Sequence, residues 1–467
     1  MLQKKAGLLC HIYLTASSRY ALTARINHTK NWSLNRSEYI ARREMKPSRI
    51  IGYTSKTLRD GRVLLEESIK DQFECSRQLD ELFLFLLKDY NEADSTYFKA
   101  TWDLKEFTQP LLDLMPYDEQ RQLLGDKHRT NHGPFKLYYI PHKIFSITYR
   151  WNIRANIYDT IEQNIYEMKQ FYPEEDLDNP VEIADYGNNL LDNLKRIGIV
   201  PTRVTSPVAI YQDGVLDNIN IATIYNLPDY ENNKGVAEYS MQIMDREWRT
   251  TYKDYQGPTY TYDIRAAYPS IAISLPDTSK CDYIYSKEWQ KAHWGVVRGE
   301  VTNNSLHSPI VWWNGEEYIN KVGTWTDYFS TEIIQFIEKH NLGSFKMYDG
   351  WFLNPKTNSK PIEVPLMRLF SYREINEDIK RWSKAMSVGV YGKFCEEHDD
   401  GSYGKFFNPI YAAMITSRCR LKVADFIFGR KLQDSLISIV VDGVKLDKKI
   451  TVPSTSGMGQ WIEKEGE

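Results

Sequence analysis

Tyr262-Asp263-Ile264-Arg265-Ala266-Ala267-Tyr268-Pro269-Ser270 is the stretch on which the architecture turns. Thr259-Tyr260-Thr261 precedes it, and a run so rich in threonine and tyrosine favours a strand. The strand ends on Asp263 and leaves a carboxylate at its tip. Ile264 to Ala267 turn the chain, and Pro269 sits early in the helix that follows. Two later segments answer this one. Glu374 to Val390 reads as a helix, with Ile375, Ile379, Trp382, Met386 and Val390 near one face. Lys380 and Lys384 lie four apart on one side of it, and Tyr391-Gly392 is expected to end it. Ser438-Ile439-Val440-Val441-Asp442-Gly443-Val444 is the third segment. Its β runs, Leu436 to Val441 and Gly443 to Leu446, flank Asp442-Gly443, a hairpin signal that presents a second acid. Two strand-end carboxylates and a lysine-bearing helix suit phosphoryl transfer on a nucleotide. The acids bind Mg²⁺ through oxygen, and a lysine grips the triphosphate. On spacing alone, the lysine pair also fits a solvated basic face.

Composition sets the outer bounds. The chain has 467 residues, 42% apolar and 26% charged, so it is a folded protein of two or three lobes rather than a disordered one. Its 32 tyrosines and 12 tryptophans suit core packing, and aromatics also stack on bases. A net charge of −3 gives no overall sign of a nucleic-acid binder, although basic stretches at Arg19 to Arg43, Arg246 to Lys253 and Arg373 to Lys393 allow a local one. Cys10, Cys75, Cys281, Cys395 and Cys419 are scattered, as expected of free thiols in a reducing compartment. His128 and His132 are spaced for one helix face, but Asn131-His132-Gly133-Pro134 looks like a turn. No apolar run is long enough to cross a membrane. The opening MLQKKAGLLCHIYLTASS mimics a signal peptide and is read as a tail or an upstream extension, with Met45 as an alternative start.

Upstream of Asp263 the pattern is strand, hairpin, helix, strand, helix. Arg49 to Tyr53 leads to a turn at Asp60-Gly61 and a strand at Arg62 to Leu65. A helix follows at Leu79 to Tyr90, a strand at Tyr97 to Trp102, and a helix at Thr108 to Met115 with Pro110 in its first turn. Two strands then run around Pro141 within Phe135 to Arg154, and a helix covers Ala184 to Gly198. The fold class expected is therefore α+β and multidomain.

The three segments together resemble the polymerase motifs of family B DNA polymerases, especially the protein-primed viral and linear-plasmid branch. The resemblance covers roughly residues 48 to 465. It implies a ribonuclease-H-like exonuclease-type domain, then a palm built on an antiparallel sheet and helical fingers. By resemblance, Asp263 and Asp442 are the catalytic metal ligands for two Mg²⁺ or Mn²⁺ ions, and Val440 falls on the hairpin's other acid. Tyr268 is the gate that excludes a 2′-hydroxyl, Lys384 aided by Lys380 steadies the triphosphate, and Tyr391-Gly392 lies beside the nascent base pair. Val390-Tyr391-Gly392-Lys393-Phe394 matches the family's Tyr-Gly-Lys-Phe ending, with Val388-Gly389 in place of its Asn-Ser. Tyr403-Gly404-Lys405-Phe406 repeats the tetrapeptide as strand or hairpin sequence.

The exonuclease motifs depart from the family. Thr54-Ser55-Lys56-Thr57 stands for Asp-Thr-Glu-Thr, and Lys99-Ala100-Thr101-Trp102-Asp103 for Asn-x-x-Phe-Asp. Tyr186-Gly187-Asn188-Asn189-Leu190 stands for Tyr-x-x-x-Asp. A domain without proofreading is implied. Tyr239-Ser240-Met241-Gln242 replaces the connector's Tyr-x-Gly-Gly. The domains expected are an N-terminal extension (1–47), a degenerate exonuclease (48–200) and a connector (201–257). The palm takes 258–274 and 395–467, an insertion of terminal-protein-region type takes 275–372, and the fingers helix takes 373–394. The partners implied are a DNA primer-template, a dNTP, a terminal-protein primer and a separate thumb-bearing chain, with no membrane. The setting implied is cytoplasmic (a host's cytoplasm for a virus) or associated with an organelle or plasmid. The alternative is a catalytically impaired, polymerase-like nucleic-acid-binding or scaffold protein.

Overall fold

A computed structural model describes residues 49–69, 72–87, 97–150, 160–171, 175–200, 207–218, 221–373, 377–398, 401–453 and 457–464. The extension expected over 1–47 lies outside the described residues. The architecture is mixed α+β, in two compact units divided between Ala209 and Ile210.

The first unit is built on an eight-stranded sheet in the order β3-β2-β1-β4-β8-β7-β6-β5. β1 (Arg49–Thr57), β2 (Val63–Glu67) and β3 (Phe73–Ser76) form an antiparallel meander. β4 (Tyr97–Thr101) and β8 (Thr160–Glu167) run parallel to β1. β5 (Arg129–His132), β6 (Phe135–Ile140) and β7 (Ile144–Arg150) extend the sheet as antiparallel hairpins. The odd residues Ile51 and Tyr53 of β1 join Leu82, Phe83, Phe107 and Leu111 in one core, as period-two alternation requires. The even residues Ile50 and Gly52 meet the helix Pro180–Arg196.

That second contact is unusually close. A Cβ built on Gly52 would lie 1.9 Å from the Pro180 carbonyl oxygen, and one on Gly187 would lie 2.6 Å from Ile50 Cδ1. Glycine at 52 lets the helix backbone come against the strand backbone, and glycine at 187 makes room for the Ile50 side chain. Asn188 then completes the strand, because Ile50 N donates to its Oδ1 at 2.9 Å and its Nδ2 donates to Ile50 O. Ser68 serves Gly52 in the same way through its hydroxyl and its backbone N–H.

The helix expected from Thr108 begins instead at Leu104 and ends at Asp113. Asp103 caps it by accepting from Glu106 N at 3.0 Å, so Pro110 lies inside the helix rather than in its first turn. His132 lies on β5, and its ring nitrogens face Glu119 at 2.6 Å and Asp80 at 3.1 Å. It therefore shares no helix face with His128.

In the second unit a five-stranded sheet runs β19-β10-β18-β17-β9. Its members are β9 (Arg249–Thr251), β10 (Tyr260–Ile264), β17 (Leu436–Val440), β18 (Gly443–Leu446) and β19 (Trp461–Lys464). Tyr262, Ile264 and Trp461 face the helix Pro409–Gly429, where Phe426 stacks on Trp461 at 3.8 Å and meets Tyr262 at 6.3 Å. The opposite face carries Thr261, Asp263, Gly443, Lys445, Ile462 and Lys464. A second, four-stranded sheet is ordered β11-β16-β12-β15. It comprises Cys281–Ser286, Gly343–Pro355, Trp294–Asn303 and Gly323–Ser330.

A buried cation, Arg246, and a half-buried one, Arg418, tie these parts together. Arg246 donates to Gln242 O, Tyr328 O and Asp327, and Arg418 forks onto Glu332. Tyr239 donates to Asp349, which also pairs with Arg298, so the tyrosine of the connector fastens the helix Tyr230–Met241 to the four-stranded sheet. The four cysteines among the described residues are free, and no helix among them is long and apolar enough to cross a membrane.

Candidate active site

Asp263, on β10, and Asp442, in the turn between β17 and β18, reach one point. β10 lies between β18 and β19, with Asp263 opposite Gly443 on one side and Ile462 on the other. The hairpin turn is Val441-Asp442, one residue earlier than Asp442-Gly443, because β17 stops at Val440 and pairs it with Gly443. Ile264 N donates to Asp442 O at 3.1 Å, which pins the turn to the end of β10. The two carboxyl groups come within hydrogen-bonding reach of each other. Burial, and then the charge of Asp263, push the Asp442 carboxyl up to about 6. Lys464 closes the group, its Nζ 2.8 Å from Asp263 Oδ2.

The backbone beside each acid is strained. Val441 has φ 58° and Ala266 has φ 52°, both in the left-handed region. For a β-branched residue that conformation is costly, and it persists only where the surroundings hold it. Val441 N donates to Trp248 O at 2.9 Å, and the two-residue turn leaves no other path. Val441→Gly is expected to raise stability by about 1 kcal/mol, relief of strain outweighing glycine's unfolded-state entropy. Urea unfolding measures this, and a lower midpoint would reject the strain.

Tyr268 and Tyr391 meet edge to face with ring centroids 4.7 Å apart. Tyr391 Oη donates to Met244 O at 2.7 Å. Burial raises both hydroxyls far above the ordinary phenol value, so both are neutral throughout the accessible pH range. The helix carrying Tyr391 runs Glu377–Phe394. It does not end at Tyr391-Gly392 as expected, because Gly392 sits in it with open space around its Cα and imposes no break. Trp382, Met386, Val390 and Phe394 are its buried stripe. Lys380, Lys384, Val388 and Gly392 form its exposed one, and Lys384 makes no ion pair among the described residues.

The structure thus brings Asp263 to Asp442 and Tyr268 to Tyr391, while Lys380 and Lys384 stand on the solvent face of their helix. Val440, 53% exposed, pairs with Gly443 and projects from the sheet's open face. Reading the sequence missed Lys464, since a four-residue strand at Trp461–Lys464 is too short to show a period. Tyr403-Gly404-Lys405-Phe406 sits in a hairpin-like return, Tyr403 bridging Glu397 and Gly404 N donating to Glu396 O. Among the described residues, no three or more His, Cys, Asp or Glu side chains are grouped to hold a metal ion.

No protein-family model matches the chain, and neither does any curated protein. Among solved structures it is similar to Phi29 DNA polymerase complexed with primer-template DNA and incoming nucleotide substrates, with a TM-score of 0.59. It is also similar to the orthorhombic crystal form of Phi29 DNA polymerase, with a TM-score of 0.56. In both cases identity is 12%, over 89% of this chain and 84% of that one. At that identity the likeness establishes the fold. The chain has a DNA-polymerase-like fold.

Proposed function

We propose that the chain carries out template-directed DNA synthesis, joining dNTPs to a primer hydroxyl, by the protein-primed mode and without proofreading. The observation that carries this is the convergence of Asp263 and Asp442 on the open face of the five-stranded sheet. Their donor set suits divalent cations, since two crowded carboxylates, one held up to about 6, have their repulsion relieved by a cation bound between them. Such ions, when bound, supply activation of the primer hydroxyl and stabilisation of the departing pyrophosphate.

The chain's own residues do the rest. Asp263 and Asp442 fix the ions, and the Tyr268–Tyr391 pair gives the nucleotide a rigid aromatic floor on which a 2′-hydroxyl has no room. Lys384, with Lys380, holds the triphosphate by charge. The insertion 275–372 is assigned to a terminal-protein primer. In the first unit the strand order, with two strands parallel to β1, agrees with a ribonuclease-H-like domain. Its motif positions serve packing instead: Asp103 caps a helix, Asn188 bonds β1, and Ser55 donates to Phe107 O.

A labelled primer annealed to a longer template, with dNTPs and Mg²⁺ or Mn²⁺, tests the proposal. Stepwise extension is expected, with no shortening when dNTPs are omitted. Lys384→Ala is expected to raise KM for dNTP about ten-fold with a smaller effect on kcat, as loss of a ground-state contact does. Absence of extension with either metal would reject the enzyme. The ion pair of Lys464 with Asp263, and Val440 in an acid's place, favour a second reading: a polymerase-like protein that binds nucleic acid without extending it. Retained primer-template binding without extension would select it.

A further inference from the structure

We propose that Lys464 is a built-in competitor for the cation site between Asp263 and Asp442, so that a divalent ion must displace its ammonium to bind. This inference rests on the metal-site assignment above. Lys464 and Asp263 lie on the same face of neighbouring strands, because β10 and β19 pair Thr261 with Lys464 and Asp263 with Ile462. The lysine therefore reaches diagonally across the ladder to the acid, and Nζ stops 2.8 Å from Oδ2. A carboxylate oxygen so engaged has a lone pair committed to a cation of the protein's own.

Other contacts already hold β19 in place. β19 is fixed by the stack of Trp461 on Phe426. It is fixed again by Arg265 N donating to Gln460 O and Gly459 N donating to Arg265 O. Glu463 pairs with Lys449 on the other face. The Lys464 side chain is 55% exposed, so it can swing into water at little cost. A displaceable cation over a half-buried carboxylate pair is a competitor rather than a clamp. Two carboxylates and one ammonium leave the empty site a single net negative charge, where the carboxylates alone would present two. With Val440 adding no acid, that is a weak divalent site, and the ammonium sets how weak.

The test is Mn²⁺ binding to the full chain without nucleotide or DNA, followed by electron paramagnetic resonance. Lys464→Gln keeps the length and removes the charge, and is expected to bind Mn²⁺ about ten-fold tighter than wild type. Lys464→Arg keeps a cation and is expected to stay near wild type. Asp442→Asn is expected to lose the site. Circular dichroism checks that each variant is folded. If Lys464→Gln binds like wild type while Asp442→Asn still loses binding, the metal site stands and the role of Lys464 is overturned. If no variant binds Mn²⁺, Lys464→Gln included, the metal-site assignment itself falls and the inference with it.

Discussion

Asp442→Asn is expected to abolish primer extension, by about a thousand-fold or more, while making the cation-free protein more stable at neutral pH. The two effects have opposite signs for one reason. Burial and the neighbouring Asp263 hold the Asp442 carboxyl at about 6, against an ordinary value near 3.8. The folded state therefore binds this proton more tightly than the unfolded state does. Below about pH 4 both states are protonated and the group costs nothing. As pH rises from about 4 to about 6 the unfolded chain ionises first and stability falls, and above that window the penalty is constant. The shift corresponds to about 1–3 kcal/mol, the lower end allowing for screening at a half-exposed carboxyl. Asparagine carries no charge to penalise, so it regains that amount at pH 7.5 and flattens the dependence between pH 4 and 6. Chemical denaturation at pH 7.5 and at steps between pH 4 and 6, with chelator present, measures it. A structural carboxylate would lose stability on amidation, and that outcome would reject the site.

Gly52→Ala carries the second large effect, in the first unit. The new methyl would lie 1.9 Å from the carbonyl oxygen of Pro180, a backbone atom at the start of a helix capped by Asn179. No rotamer relieves that overlap, so the helix must retreat and its Asn188 bonds to Ile50 must lengthen. A loss of about 2–4 kcal/mol is expected. Gly187→Ala meets the Ile50 side chain, most closely at its movable Cδ1, and no backbone atom, and should cost less. Thermal unfolding of the two variants side by side distinguishes them, and equal losses would show that the helix is not seated as described. An acid at position 52 meets the same obstacle.

The parts of the fold legible in the sequence are those with a local signal. Alternation and turn residues revealed the β1–β2 hairpin, the strands flanking Pro141, and the hairpin bearing Asp442. Helical spacing revealed the helix of Lys380 and Lys384. The helix Pro409–Gly429 was not legible because it is buried nearly all round, from Pro409 to Ser417 without a polar face. The start at Leu104 is hidden because Pro110 reads as a first-turn proline, whereas Asp103 caps the helix by accepting from Glu106 N. Of the candidate site, the acids and tyrosines were visible as residue types. Their meeting depends on the strand order β19-β10-β18, which joins segments far apart in the chain. Lys464 enters the site only through that order.

Asn188, through its side-chain amide, and Ser68, through its hydroxyl and its backbone N–H, have one more consequence at the start of β1. Each gives the backbone of Ile50 or Gly52 the donor and acceptor that a neighbouring strand would give. The stretch that β2 leaves unaccompanied is thus closed to any other chain seeking to add a strand there. Losing Asn188 would do more than loosen a helix: it would bare a peptide edge and expose the protein to self-association through β1.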